Sequence, residues 1–247
     1  MRDTAIKEKP AIILAGYTSI PRNFDYAKFK EIADEVGAVA MADVAHIAGL
    51  IAGGVLDNPL DFGFQMMTST THKTLRGPRG GIILTKGNVG NPLRPVEKKI
   101  ENLPSLVDRS VFPGLQGGPH MNKVAAITIA LHEASKDSFK VYAQQVLDNS
   151  QVLAQELMNL GCKLVTNGTS NHMMLIHTID SFGVSGSKVE RVLDEVGVTL
   201  NKNVIPDDPK PPYSPSGVRL GTPAMTTRGM KEHEMKWLAE IIVRTVK

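Results

Sequence analysis

Short apolar runs alternate with a helical segment early in the chain, and this alternation constrains the fold more than any other feature. Strand-like runs occupy residues 11–15, 38–42, 65–68 and 81–85. Helical spacing follows the first run, with Asp25 as its N-cap and Gly37 at its end. Strands that alternate with helices pair mostly in parallel, because the helix carries the chain back across the sheet. The pattern therefore predicts an α/β fold with a mostly parallel sheet.

The rest of the chain predicts a second, smaller α/β unit. Residues 88–119 are rich in Gly, Pro and Asn and predict a long loop with short helical pieces, and residues 121–160 predict one bent helix or two. Strands are predicted at 162–166, 173–178, 199–200 and 218–220, with helices at 187–196 and 231–246. We place the domain boundary inside the long helical stretch, giving domains 1–140 and 141–247.

Composition narrows the function classes. The chain has 247 residues, of which 42% are hydrophobic. Its net charge of +3 is small and therefore does not indicate nucleic-acid binding. No apolar run is long enough to span a membrane, and the histidines form no metal-ligand pattern. Cys162 is the only cysteine, and the polar first ten residues lack a signal-peptide core. These features predict a cytoplasmic protein, with an organelle left open if a leader precedes this sequence.

A lysine and an aspartate each follow a predicted strand. Asp43 comes after the second strand, and Lys73 comes after the third. Ligands of such sheets gather at the carboxyl ends of the strands. This pair suits pyridoxal 5'-phosphate: a lysine amine forms a Schiff base with the aldehyde, and a carboxylate keeps the pyridine nitrogen protonated. From these two residues alone, a surface lysine and a helix-capping aspartate are the alternative interpretation.

Longer motifs favour the cofactor interpretation. They read DVAHIAG at 43–49, TTHKTLRGPRGG at 70–81, FPGLQGGP at 112–119, NKN at 201–203 and GVRLGTPA at 217–224. With these motifs in this order, the chain resembles serine hydroxymethyltransferase over nearly its whole length. The resemblance implies a pyridoxal-phosphate transferase large domain, incomplete at its N-terminal side, followed by the small domain. The sequence begins about where the second half of that family's chains begins.

The resemblance implies the roles of the cofactor residues. Lys73 carries the cofactor covalently, and Asp43 pairs with the protonated pyridine nitrogen. His46 reaches the phenolic oxygen of the ring, although a histidine satisfied by backbone at a helix start is a competing interpretation. Thr18 stands where the family usually has a serine near that same oxygen, and it keeps the hydroxyl. Thr70 flanks Lys73 and contributes to catalysis or to the shape of the loop.

Further residues complete the implied site. His72 also flanks the lysine, and Arg79 lies near the cofactor in the family. Gly117 and Gly118 precede a helix, where exposed N–H groups suit the phosphate of a neighbouring subunit. Arg219 clamps the carboxylate of the amino acid through two parallel hydrogen bonds. The family's folate-contacting stretch corresponds to Asn203, Pro212 and Tyr213.

The resemblance implies an enzyme that interconverts serine and glycine with tetrahydrofolate as co-substrate. A folate-independent aldolase of 3-hydroxy amino acids would share the same electron sink and is the alternative enzyme. A catalytically weak or silent half-chain that acts by oligomerisation is the alternative from another class. The family's preceding region supplies a ring-stacking histidine, a catalytic glutamate and further strands. We therefore expect a homo-oligomer, dimer or tetramer, or a complementing N-terminal half, and an unpaired sheet edge.

Overall fold

A computed structural model describes residues 1–86 and 102–247. The chain divides into two compact units, Met1–Tyr17 with Phe24–Lys140 and Thr18–Asn23 with Val141–Lys247. The assignment of residues 1–140 to cofactor binding and of 141–247 to a small domain stays a prediction. Part of the predicted loop, residues 88–101, lies outside the described residues, and its described remainder contains short helical pieces.

A mixed sheet organises the first unit. Its strands are β1 (Ile12–Ala15), β2 (Val39–Asp43), β3 (Met66–Thr70) and β4 (Gly81–Thr85), in that order. The β1–β2 and β2–β3 pairs are parallel, and β3–β4 is antiparallel. The predicted α/β fold with a mostly parallel sheet is confirmed. Because β2 and β3 are parallel neighbours, their carboxyl ends share one edge of the sheet.

The helices of the first unit follow from local signals. They are α1 (Arg2–Glu8), α2 (Tyr26–Val36), α3 (Ala48–Ala52), α4 (Leu103–Arg109) and α5 (Met121–Ala134), with a 3-10 turn at Pro59–Phe62 and a kinked segment at Ser110–Leu115. The predicted N-cap of α2 is confirmed, since Asp25 Oδ1 accepts from Lys28 N at 2.9 Å. Ile32 and Ala33 of α2 and Ala40 of β2 are buried. Burying a side chain such as Ile32 stabilises the fold by about 2 kcal/mol.

The second unit is a small antiparallel sheet with helices. The strands are β5 (Met173–His177), β6 (Asn201–Asn203) and β7 (Gly217–Gly221), and β7 lies between the other two. The helices are α6 (Asp137–Asn159), which begins in the first unit, α7 (Thr178–Phe182), α8 (Gly186–Glu195), α9 (Pro223–Thr227) and α10 (Glu232–Val246). Its core packs Leu157, Met174, Leu193 and Ile242, all fully or almost fully buried.

Two predicted strands are wrong. Residues 162–166 form no strand: Leu164 makes an isolated bridge with Ile176, and the chain then turns because Thr166 and Asn167 take left-handed φ values of 63° and 53°. The strand predicted at 199–200 lies at Asn201–Asn203 instead. Because its side chains are polar, a hydrophobic pattern does not indicate a strand here. The segment becomes a strand because it pairs with β7. The long helical stretch is two helices, α5 and α6.

The described residues contain neither a membrane-spanning helix nor a candidate metal site. Across residues 1–86 and 102–247, none of the helices is both long and apolar enough to cross a membrane. Within the same residues, no group of three or more His, Cys, Asp or Glu side chains could hold a metal ion.

Candidate active site

Asp43 ends β2 at the edge that this strand shares with β3. It pairs in register with Thr68, and the next residue, Val44, donates its N–H to Thr68 O at 2.9 Å. The carboxylate is exposed, and its Oδ1 accepts from Ala45 N at 3.0 Å. This local bond holds the side chain at the strand end, so that a ligand beyond the sheet edge can meet the carboxylate.

The backbone of Asp43 is also held from the β1 side. Gly16, directly after β1, has a φ of 143°, and a Cβ built on it would lie 2.1 Å from Asp43 O. Only glycine permits this approach, so the turn after β1 packs against the end of β2. Thr18 follows two residues later but belongs to the second unit. Its hydroxyl role stays a prediction.

Lys73 sits in a compact, internally bonded loop between β3 and β4. Thr71 is 1% exposed, and its Oγ1 donates to Pro78 O at 2.6 Å. Its N–H donates to Gly80 O at 3.1 Å, and Arg76 N donates to Lys73 O at 2.9 Å. Backbone hydrogen bonds close the loop on both sides of Lys73. The backbone of this half-buried lysine is therefore held in place.

Thr74 joins the Lys73 loop to the segment that follows Asp43. Its hydroxyl donates to His46 O at 3.0 Å and accepts from Gly49 N at 2.9 Å. Thr74 is 4% exposed, and a Cβ on Gly49 would lie 2.2 Å from Thr74 O. The two backbones therefore touch, and one buried hydroxyl bonds both. This contact brings the segment carrying Asp43 and His46 together with the loop carrying Lys73.

Three residues close to Lys73 in the sequence have a buried polar atom without a hydrogen-bond partner. Among the described residues, Thr68 Oγ1, Thr70 Oγ1 and His72 Nδ1 are buried and make no hydrogen bond. A buried unpaired polar atom costs about 1–3 kcal/mol, so a native fold keeps several near each other only where something else bonds them. Thr68 and Thr70 share one face of β3, because strand side chains alternate. This donor and acceptor set fits a polar cofactor such as pyridoxal 5'-phosphate.

Two cavities in the described part of the first unit adjoin this region without reaching Lys73 or Asp43. One of about 880 Å³ runs along β3 and β4 beside Val107 of α4 and Phe112 of the kinked segment, and it includes Thr68 in its wall. The other, of about 240 Å³, is apolar and is enclosed by α3, Leu84 and Leu131. Neither is lined by Lys73 or Asp43. The candidate site therefore rests on hydrogen bonds and strand ends rather than on a cavity.

Other predicted residues of the first unit are less closely tied to the lysine. Arg79 is exposed, in the same loop as Lys73. Gly117 and Gly118 are exposed, and no atom lies within 4 Å of a Cβ built on either one. Nothing in the described chain therefore explains glycine at these two positions. They precede α5, whose first N–H groups receive no side-chain cap.

Arg219 is the central charged residue of the sheet in the second unit. From β7, its Nη1 donates to Thr18 O at 2.9 Å and its Nε donates to Asn201 Oδ1 at 3.3 Å. Burial lowers the pKa of Arg219, but a guanidinium stays charged at every physiological pH. The two bonds fix the plane of the fork. Within the described residues Nη2 makes no hydrogen bond, and Nη1 has a second N–H, so these two nitrogens together can receive an anion.

The predicted folate residues lie at and beyond the end of β6. Asn203 pairs with Gly217, and its Oδ1 accepts from Ser19 Oγ at 2.9 Å. Pro212 and the 78% exposed Tyr213 belong to the loop that connects β6 to β7. The second unit therefore brings Asn203 and Arg219 onto neighbouring strands, with Tyr213 on a loop open to solvent.

Sequence reasoning missed the residues that position the others. Thr71 and Thr74 anchor the Lys73 loop, and Asn201 orients Arg219. The sequence contains a signal for Thr74 and for Asn201. Thr74 directly follows the lysine, and Asn201 stands two residues before Asn203, which places both asparagines on one face of a strand.

The α/β fold with a mixed, mostly parallel sheet is of the type found in pyridoxal-phosphate-dependent transferases, and the residues at its strand ends suit that class. The family model described as serine hydroxymethyltransferase matches residues 1–242, and the chain belongs to that family. The resemblance seen in the sequence is thus confirmed. At the level of the family, the chemistry is pyridoxal-phosphate-dependent transfer of a hydroxymethyl group between serine and glycine.

Thr74 gives a direct test of how the loops are joined. We expect Thr74→Val to lower the free energy of unfolding of the first unit by about 1–3 kcal/mol, because it removes the hydroxyl that bonds both His46 O and the buried Gly49 N. Urea unfolding followed by circular dichroism measures the change. Thr128→Val removes an exposed hydroxyl from α5 and is the matched control. Equal midpoints for the two variants would contradict a joining role for Thr74.

Proposed function

We infer that this chain binds pyridoxal 5'-phosphate at Lys73 and interconverts serine and glycine with tetrahydrofolate as co-substrate. The observation that carries the proposal is the buried Thr74 hydroxyl, which bonds the segment of Asp43 and His46 to the loop of Lys73. Family membership gives the reaction class. When bound, the cofactor supplies an electron sink for charge that develops at the Cα of the amino acid.

Most of the residues proposed to hold the cofactor belong to the first unit. The Lys73 amine forms the covalent attachment, and the Asp43 carboxylate keeps a proton on the pyridine nitrogen. His46 and the Thr18 hydroxyl approach the phenolic oxygen. The unpaired Thr70 Oγ1 and His72 Nδ1 gain hydrogen-bond partners when the site is filled. Each contact gives a hydrogen-bonding or charged partner to a group that lacks one, and this favours binding.

Two further contacts concern the phosphate side. Arg79 is an exposed cation in the Lys73 loop and is suited to an anionic group. Gly117 and Gly118 offer backbone N–H groups without side chains just before α5, so a phosphate of a neighbouring copy can approach them closely.

Arg219 sets the orientation of the amino-acid substrate. Its fork would take the carboxylate, and this would fix the orientation of the bonds at Cα. Asn201 and Thr18 O hold the guanidinium in place before substrate arrives. Asn203, Pro212 and Tyr213 contact the folate. Tyr213, being largely exposed, presents a ring on which a flat heterocycle can stack.

We also propose that the chain acts as a homo-oligomer, a dimer or a tetramer. Helix α5 is rich in apolar residues, yet it buries only Ala134. Met121 and Ile129 on this helix are 65% and 62% exposed. Helices with so much apolar surface are usually covered by a partner. Sedimentation velocity at several concentrations tests this, and a monomer at all of them would contradict it.

An assay of serine cleavage with and without tetrahydrofolate tests the proposed reaction. We expect glycine to form from serine only when tetrahydrofolate is present, together with the one-carbon folate product. Cleavage of 3-hydroxy amino acids that is indifferent to folate would replace the proposal with the aldolase. A chain that binds the cofactor but turns over neither substrate would favour the silent, assembling half-chain.

A further inference from the structure

The loop that connects β6 to β7 is organised by one carboxylate, that of Asp208. Oδ2 accepts from Ile205 N at 3.3 Å and from Ser216 N at 2.9 Å. Oδ1 accepts from Lys210 N at 2.9 Å and from Ser216 Oγ at 2.7 Å. The first part of the loop and its last residue are therefore tied to the same side chain.

Asp208 is ionised at neutral pH. Desolvation alone would raise the pKa of this carboxyl, but the hydrogen bonds from Ser216, Lys210 and Ile205 outweigh it and lower the pKa to about 2. An ionised carboxylate accepts on both oxygens, so all of its donors are satisfied at once. A neutral amide of the same shape would accept on one oxygen only and would turn its own N–H groups toward the remaining donors.

Ser216 is fixed from its other side as well. Thr178, which begins α7, is fully buried, and both its N–H and its hydroxyl donate to Ser216 O, at 2.7 and 2.9 Å. Ser216 itself is 1% exposed. Its N–H and hydroxyl face Asp208 while its carbonyl faces Thr178, so the position of this residue is set in both directions.

The fixed residue lies directly before the strand that carries Arg219. Gly217 begins β7 and pairs with Asn203, and Arg219 pairs with Asn201. Ser216 is joined directly to Gly217, so its position sets where β7 begins and bears on the residues that follow. A shift at Ser216 therefore moves the Arg219 fork relative to its two acceptors, Asn201 Oδ1 and Thr18 O.

We propose that Asp208 is a positioning residue for the amino-acid substrate: it fixes Ser216 and thereby holds Arg219 in the orientation that receives the carboxylate. This inference rests on the proposed function of Arg219. Asp208 touches no substrate itself. The alternative is that Asp208 only stabilises its own loop, with no effect on what Arg219 binds.

Two adjacent aspartates allow a matched test. Asp208→Asn removes one of the two acceptor oxygens of the side chain that organises the loop. Asp207→Asn removes the same charge one residue away, where the side chain is exposed and the left-handed φ of 53° suits asparagine. Both variants and the wild type are loaded with pyridoxal phosphate. Glycine is then titrated while the cofactor absorbance is followed, and hydrogen exchange is measured for peptides that cover residues 204–221.

For Asp208→Asn we expect the affinity for glycine to fall about tenfold or more, since bonds to a charged group are the strong ones. The cofactor content should stay unchanged. Exchange should quicken at Ser216 and along β7, while β5 stays protected. Asp207→Asn should match the wild type in every measurement. Ser216→Ala, which loses only the hydroxyl, should show a smaller effect in the same direction.

Unchanged glycine affinity in Asp208→Asn would overturn the proposal even if hydrogen exchange in the loop rises. Asp208 would then stabilise only its own loop. Equal exchange along β7 in both Asn variants would overturn it as well. If the wild-type chain itself shows no response to glycine, the function proposed for Arg219 fails. The exchange data would then still decide whether Asp208 fixes the start of β7.

Discussion

Lys73→Ala abolishes the visible absorbance of the bound cofactor and lowers serine turnover by at least about a thousandfold, because the amine that attaches the cofactor is lost. The fold should remain, since the loop around Lys73 is closed by backbone bonds and by Thr71 and Thr74 rather than by the lysine side chain. Absorbance after dialysis against pyridoxal phosphate, together with circular dichroism, measures both effects.

Lys123→Ala is the control for Lys73. Lys123 is an exposed residue of α5, so its loss removes the same charge and length without touching the candidate site. The control should retain absorbance and turnover. If Lys73→Ala kept the absorbance of the wild type, the attachment point would have to be another lysine.

Arg219→Lys should weaken glycine binding by about 30- to 150-fold and leave cofactor binding almost unchanged. Lysine keeps the positive charge but loses the planar fork, and a charge-assisted pair of hydrogen bonds is worth about 2–3 kcal/mol. It also cannot reproduce the separate bonds that Nε and Nη1 make to Asn201 Oδ1 and Thr18 O. Titration of glycine against the cofactor absorbance gives the affinity.

Arg191→Lys provides the comparison for that variant. Arg191 is exposed on α8, and the same substitution there should change neither the glycine affinity nor the cofactor content. An Arg219→Lys enzyme that binds glycine as tightly as Arg191→Lys would mean that another residue holds the substrate carboxylate.

The large sheet was predictable because its signals are local. Three of its strands, β1, β2 and β4, are short runs rich in apolar residues, and Asp25 marks the start of α2 as its N-cap. The rule that ligands gather at the carboxyl ends of parallel strands then singled out Asp43 and Lys73. The long motifs around these residues identified the family, which the family match over residues 1–242 confirms.

The parts that escaped prediction depend on contacts distant in sequence. The polar residues of β6 become a strand only because β7 lies beside them. Leu164 looks like strand sequence, but Thr166 and Asn167 turn the chain after one bridge. Asp208 resembles any loop aspartate until Ser216 is seen to donate to it. No propensity or period encodes such pairs.

Borohydride reduction followed by peptide mapping tests the central claim most directly. The chain is loaded with pyridoxal phosphate, the Schiff base is reduced to a stable linkage, and the modified peptide is sequenced. We expect the tag on Lys73, in the peptide that also contains His72 and Thr74. A tag on any other lysine, or no tag in a chain that is otherwise folded, would contradict the assignment of this loop as the cofactor site.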